Sequence, residues 1–200
     1  MKLKYNAPVT LTFSLICGVV LLLGTIIPGL RDGLFVAAGQ GGFSFANPLS
    51  YLRLFSHIFG HADIGHLLSN LTFILLLGPI LESLYGARNL IFMMLITAVA
   101  TAVLNLILFP SGLLGASGIV FMMILLSSFT NFAKGEIPIT FILVVVLFLG
   151  KEVIHALQAN DISEFAHIIG GLFGSIFGFL QPTGTKGKAK LTGRQTAELN

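Results

Sequence analysis

The sequence predicts an all-helical membrane protein built as a bundle of six transmembrane helices. Hydrophobic residues make up 55% of its 200 residues and charged residues only 10%, whereas a soluble domain carries about 25% charge. The mean hydropathy is +0.95. Apolar runs of about 20 residues, the length that crosses a bilayer, recur along the chain. We therefore expect most of the protein to lie inside the membrane.

The first span is predicted at residues 8–28. It follows Lys2 and Lys4, so a signal peptide is the alternative. The apolar run is longer than the 7–15 residues of a signal core, and we favour a spanning helix. The other predicted spans cover residues 64–85, 89–109, 115–133, 137–157 and 162–180.

The segments outside the helices predict the domain organisation. Residues 1–7 form a short N-terminus, residues 8–180 a single helical domain, and residues 181–200 a polar tail rich in Gly and Lys that we expect to be disordered. Residues 29–63 form a long first extracytoplasmic loop. Within it residues 48–59 are partly amphipathic, which is typical of a segment lying in the membrane interface.

The distribution of basic residues predicts the orientation. With six spans, both termini share a side, and that side holds eight Lys and Arg residues against three on the other. The positive-inside rule then predicts cytoplasmic termini in a multi-pass protein. The compact chain is typical of a prokaryotic plasma (inner) membrane. The eight are Lys2, Lys4, Arg88, Lys134, Lys186, Lys188, Lys190 and Arg194, and the three are Arg31, Arg53 and Lys151.

Four polar side chains are predicted at one depth in the outer half of the membrane. With Asp63 as N-cap, His66 and Asn70 lie about 4 and 10 Å below the start of the second helix. His167 lies about 8 Å below the start of the sixth helix, and Ser117 several ångströms below the surface on the fourth. Polar residues inside spans are candidates for function.

Small residues predict a close contact between the fourth and sixth helices. Gly170, Gly174 and Gly178 follow His167 along one helix face, and such spacing lets membrane helices approach backbone to backbone. If Gly115 and Gly118 form the other side of the contact, His167 comes within reach of Ser117.

These residues suit acyl transfer. A serine hydroxyl becomes nucleophilic when a neutral histidine takes its proton, which makes Ser117 and His167 a catalytic pair. His66, the Asn70 amide and the backbone N–H of Ser117 are candidate donors to the oxyanion. Glu164 is expected to be a solvated helix cap, so the pair is predicted to act as a dyad.

A metal site is the alternative use of the histidines at positions 57, 61 and 66. The chain has no His-Glu-x-x-His motif and no carboxylate placed beside them as a base. We therefore predict no metal and no other cofactor. His57 and His61 are expected to form structural hydrogen bonds.

Three motifs in the chain resemble those of the rhomboid intramembrane serine proteases. They are Gly115-Ala116-Ser117-Gly118, Ala166-His167-x-x-Gly170-x-x-x-Gly174, and His57-x-x-x-His61-x-x-x-x-His66-x-x-x-Asn70. Arg53 is similar to the arginine of the family's Trp-Arg pair, and Glu82 with Gly86 to a structural pair. The resemblance implies a serine endopeptidase that cleaves transmembrane segments of other proteins. It implies Ser117 as nucleophile, His167 as base, and His66 and Asn70 as oxyanion donors. The expected partners are membrane-protein substrates and the bilayer, not nucleic acid.

Two positions depart from the family pattern. Leu52 stands where the tryptophan is expected, and Phe121 stands where many members carry a tyrosine that stacks on the histidine. A phenyl ring can still stack. Two other functions remain open: a non-catalytic rhomboid-like protein that binds membrane clients, and a transporter, for which no polar pathway through both leaflets is visible.

Overall fold

The computed structural model describes residues 3–129, 137–149 and 163–181. Within these ranges the chain is helical and contains no strand, only an isolated β-bridge between Ala37 and Leu113. The helices are α1 (Pro8–Ile26), α2 (Leu30–Leu34), α3 (Pro48–Ser56) with a 3₁₀ turn (His57–Phe59), α4 (Ile64–Tyr85), α5 (Ala87–Leu108), α6 (Ser117–Ser127), α7 (Ile139–Val144) with a π-helical turn (Val145–Leu149), and α8 (Ser163–Leu180). The prediction of an all-helical fold is confirmed.

Three of these helices, α1, α4 and α5, are long and apolar enough to cross a membrane. Helix α6 and the part of α8 from Glu164 to Leu180 are apolar but shorter. The chain is therefore a membrane protein. Outside the described residues lie residues 130–133 of the predicted fourth span, residues 150–157 of the fifth, residue 162 of the sixth and the predicted tail from residue 182.

The ends of three predicted helices differ from the structure for local reasons. Helix α1 ends two residues early at Ile26, because Ile27 precedes Pro28 and adopts an extended conformation. Helix α6 ends at Ser127 rather than at residue 133. There Ser128 N–H and Phe129 N–H donate to the carbonyls of Leu125 and Leu126, which tightens the last turn. In the predicted fifth span the helix starts at residue 139, after Pro138, and becomes π-helical at 145.

Helix α4 begins and ends at the predicted residues. The Asp63 side chain accepts a 2.8 Å hydrogen bond from the His66 N–H, which caps the first turn. The helix ends at Tyr85, and the next residue, Gly86, has a φ of +83°, a conformation that glycine adopts without strain. The cap fixes the depth at which His66 and Asn70 leave the helix.

A buried carboxylate joins α4 to the start of α1. Glu82 accepts hydrogen bonds of 3.0 Å from the backbone N–H groups of Val9 and Thr10 and one of 2.9 Å from the Thr10 hydroxyl. The N-cap residue of α1, Ala7, supplies no side-chain bond. Glu82 therefore satisfies N–H groups that the first turn of α1 leaves free.

Hydrogen bonds hold together the segment between α1 and α4. The amphipathic stretch predicted at residues 48–59 forms α3 and the 3₁₀ turn, and Asn47 caps α3 through a 3.0 Å bond from Leu49 N–H. Arg53 Nε donates to the carbonyl of Gly33 at 2.8 Å. Leu52, at the position of the missing tryptophan, is exposed.

Helix α6 lies at the centre of the bundle and is buried from Gly118 to Leu126. Its closest neighbour is α8. A Cβ atom at Gly170 would overlap the carbonyl of Gly118, and one at Gly174 would overlap that of Met122. The predicted close approach of the two helices is therefore confirmed, and it needs glycine at both positions of α8.

Candidate active site

Ser117 is the first residue of α6, directly after a loop that enters the bundle. Two residues earlier Gly115 has a φ of +118°, which only glycine adopts easily. The Gly115 N–H donates to the carbonyl of His57 at 2.9 Å. The serine therefore stands on a turn held by the 3₁₀ segment.

The loop before Ser117 is held at two further places. Leu113 and Ala37 exchange backbone hydrogen bonds of 2.8 and 2.9 Å. The Asn105 side chain of α5 donates to the carbonyl of Ser111 at 3.0 Å. These bonds satisfy polar backbone groups of an irregular segment that becomes buried at Leu113, Gly115 and Ala116.

His167 reaches the site from α8 and stacks on Phe121. The two ring centroids are 4.3 Å apart and the ring planes are inclined by 4°. Phe121 lies four residues after Ser117, so both face the same side of α6. The backbones meet just beside this pair, since a Cβ at Gly118 would be 3.3 Å from the carbonyl oxygen of Ala166.

A cavity of about 470 Å³ brings together the four polar residues predicted at one depth: Ser117, His167, His66 and Asn70. Its other walls are largely apolar. The remaining lining residues are Asp63, Ser69, Phe73, Leu113, Leu114, Val120 and Phe121.

The ring of His66 has one edge toward its own loop and the other toward the serine loop. Its Nδ1 accepts a long hydrogen bond of 3.5 Å from the Ala62 N–H. In the neutral ring the proton is then on Nε2. A Cβ at Gly115 would be 2.8 Å from His66 Nε2, so this N–H lies beside the backbone two residues before Ser117.

Asn70 offers a donor that no described residue uses. Its side chain is 5% exposed, and Nδ2 has no hydrogen-bond partner among the residues that the structure describes. A buried amide without a partner costs about 1–3 kcal/mol. Because Asn70 lines the cavity, a polar group bound there would recover that cost.

Glu164 does not have the solvated position that we expected. The residue is 9% exposed at the start of α8. The next residue, Phe165, packs on Phe109 with ring centroids 4.9 Å apart, and this contact ties the first turn of α8 to the end of α5.

His57 and His61 are buried in the segment that precedes α4. They are 1% and 0% exposed, and each Nδ1 lies 3.2 Å from a backbone carbonyl, those of Arg53 and Phe59 respectively. Burial lowers the pKa of each imidazole from 6.5 to about 4. The hydrogen bonds and the lowered pKa values are those of neutral imidazole rings. No group of three metal-binding side chains occurs in the described ranges.

Sequence reasoning missed Ser69, Phe73 and Asn105. Ser69 and Phe73 lie three residues after His66 and Asn70, so helical spacing alone was enough to place them on the cavity wall. Asn105 is a lone amide in an apolar run, and polar residues inside spans are candidates for function.

Comparison with models of protein families matches residues 48–182 to the one described as Rhomboid domain. The matched range is more than half of the chain and contains Ser117, His167, His66 and Asn70. No curated protein matches the chain.

Proposed function

Because the chain belongs to the rhomboid family, we propose that it is an intramembrane serine endopeptidase acting on transmembrane segments of other proteins. The observation that carries the proposal is the stack of His167 on Phe121, one turn along α6 from Ser117. It supports a base held beside a nucleophile in a cavity that both line. We further propose that the protein lies in the plasma (inner) membrane, which it crosses with six spans, and that both termini are in the cytoplasm.

In the proposed reaction, Ser117 Oγ attacks the carbonyl carbon of the scissile peptide while His167 takes the hydroxyl proton. The imidazolium then gives this proton to the leaving amine, and the peptide C–N bond breaks to leave an acyl ester on Ser117. Water attacks the ester, again with His167 as base, and the regenerated serine recovers its proton. Both steps balance without a metal or a cofactor.

The oxyanion formed in both steps needs donors aimed at it. Asn70 Nδ2 supports this role because it is buried, lines the cavity and has no partner among the described residues. His66 contributes its Nε2–H, and the first N–H of α6 contributes from Ser117 itself. A tetrahedral oxyanion bound here would satisfy groups that are otherwise desolvated.

The substrate class follows from the surroundings of the cavity. A largely apolar cavity among membrane helices favours a peptide delivered from the bilayer. Arg53 and His61 serve as structural supports of the loop in this proposal, and Gly115, Gly118, Gly170 and Gly174 permit the backbone approach. A non-catalytic client-binding protein with the same fold is the alternative outcome.

A fluorophosphonate probe distinguishes an activated serine from an inert one. The purified protein should be labelled on Ser117, as located by peptide mass spectrometry. His167→Ala should lose labelling. Ser69→Ala is the matched control, since Ser69 lines the same cavity but its hydroxyl donates to the His66 carbonyl at 2.9 Å. Labelling that persists in Ser117→Ala would contradict the proposed nucleophile.

A further inference from the structure

A second cavity, of about 460 Å³, lies between α1 and α5, away from the active site. Its walls are apolar apart from Thr12. One side runs along α1 from Pro8 to Ile16 and the other along α5 from Ala87 to Leu95. The two helices begin at the same end of this groove and run side by side.

The groove is closed at its inner end. Ile58 and Phe59 of the 3₁₀ turn complete its lining, and Phe59 packs on Phe13 with ring centroids 5.0 Å apart. Nine residues of helix on either side, with eight rises of about 1.5 Å between them, give a length of about 12 Å. This is close to half of the hydrocarbon core, which is about 30 Å thick.

These dimensions suit one acyl chain of one leaflet. A transmembrane helix of a substrate or a second copy of this chain would cross the whole core and needs a groove that continues past the middle. The closed end at Ile58 and Phe59 does not provide that. A lipid chain enters from the membrane surface and ends near the bilayer midplane, as the groove does.

The open end carries positive charge. Lys4 lies four residues before Pro8, and Arg88 directly follows Ala87. Both are exposed, and neither has an ion-pair partner among the described residues. The carboxylate at this end, Glu82, is buried and bound to the N–H groups of Val9 and Thr10. Each basic residue near a membrane surface attracts anionic lipid.

We propose that the groove between α1 and α5 binds one acyl chain of an anionic phospholipid, with the headgroup beside Lys4 and Arg88. The closed end lies next to His57, whose carbonyl accepts the hydrogen bond from Gly115. A bound chain would therefore support the turn beneath the active-site loop. This inference is independent of the proposed peptidase activity.

The chain contains no tryptophan, so a single introduced tryptophan reports on the lipid beside it. Ile91→Trp places the probe on the groove wall. Ile80→Trp is the matched control, because Ile80 is 50% exposed five residues before the end of α4 and does not line the groove. Each variant is reconstituted in a mixture of phosphatidylglycerol and phosphatidylcholine in which one of the two lipids carries bromine in its acyl chains. Quenching by the two brominated lipids is compared at equal bromine content.

We expect the brominated anionic lipid to quench the Ile91→Trp signal more than the brominated zwitterionic lipid does. The two lipids should quench the Ile80→Trp signal equally. Adding Arg88→Gln should lower the preference at position 91 about fivefold. Arg31→Gln, which removes a basic residue remote from the groove, should leave it unchanged. Equal quenching by both lipids at position 91 would overturn the proposal.

Native mass spectrometry of the unsubstituted chain is the control for an introduced tryptophan that occupies the groove in place of a lipid. In a mixture of the two unlabelled lipids, one phosphatidylglycerol should be retained in preference to phosphatidylcholine, about fivefold more than by Arg88→Gln. Retention of both lipids in proportion to their abundance would also overturn the proposal.

Discussion

The phenyl ring of Phe121 lies flat on the imidazole of His167, with 4.3 Å between ring centroids and 4° between ring planes. The stack fixes the plane of the proposed base relative to α6, the helix that begins with Ser117. At this position many rhomboid proteases are expected to carry tyrosine. The contact supports a base that is oriented by packing. This orientation does not require a hydroxyl on the ring.

Replacing Phe121 by alanine should lower kcat about two- to tenfold, because an aromatic pair contributes about 0.5–1.5 kcal/mol and the freed imidazole samples unproductive orientations. Phe121→Tyr keeps the stack and should keep kcat near the original value. Both rates are measured on a transmembrane reporter, with thermal unfolding as the control for folding. Equal rates for the alanine and tyrosine variants would contradict an orienting role.

Asn70→Ala should lower kcat by about 10- to 1000-fold, the range for loss of one oxyanion donor. KM should change much less, because the donor binds charge that develops only in the transition state. Ser69→Ala, on the same cavity wall, should be close to the unsubstituted protein. A fall in kcat/KM that comes entirely from KM would instead indicate a role in substrate binding.

Gly170→Ala should destabilise the bundle by about 1–3 kcal/mol or more, because its Cβ would overlap the Gly118 carbonyl and force α6 and α8 apart. Gly18→Ala is the matched control: a Cβ at Gly18, also within a spanning helix, meets nothing within 4 Å. Thermal unfolding in detergent compares the two. Similar melting temperatures for both variants would contradict the close contact.

Stability should fall as the pH is lowered from about 6.5 towards 4. The pKa of His57 and of His61 is about 4 in the folded protein, against 6.5 in the unfolded chain. Between these values the unfolded state binds protons that the folded state does not, so unfolding becomes more favourable as the pH falls. The contribution is fully present above pH 6.5, and its slope is at most about 1.4 kcal/mol per pH unit for each histidine.

Variants identify the source of this pH dependence. His57→Gln and His61→Gln should each flatten the dependence of the unfolding free energy between pH 4 and 6.5, even where they lower stability overall. A slope unchanged in both variants would assign the pH dependence to other groups.

Residues with local signals were predictable from the sequence. The Asp63 cap and Gly86 set both ends of α4, and apolar length set α5 to within two residues at its start. Glycine spacing predicted the contact of α6 with α8. What the sequence could not supply depends on tertiary contacts that no local pattern encodes. Glu164 is buried at the start of α8, Glu82 caps a helix more than 70 residues away, and Asn105 holds the loop at Ser111 although no spacing pattern links the two.

In the site, too, local spacing predicted the positions of residues but not their tertiary contacts. Counting helical turns along the sequence places Ser117, His66, Asn70 and His167 at one depth, because the rise per residue is fixed. The tautomer of His66 was beyond that reasoning, since it depends on an N–H of Ala62 in the preceding loop. So was the unused amide of Asn70, because partners across a cavity are not encoded by spacing.

Cleavage of a transmembrane reporter by the purified, reconstituted protein tests the central claim most directly. The reporter carries a helix-destabilising segment, and products are located by mass spectrometry. We predict cleavage by the unsubstituted protein and by Ser69→Ala, and none by Ser117→Ala or His167→Ala, with thermal unfolding showing that all four are folded. Undiminished cleavage by Ser117→Ala would contradict the proposed mechanism.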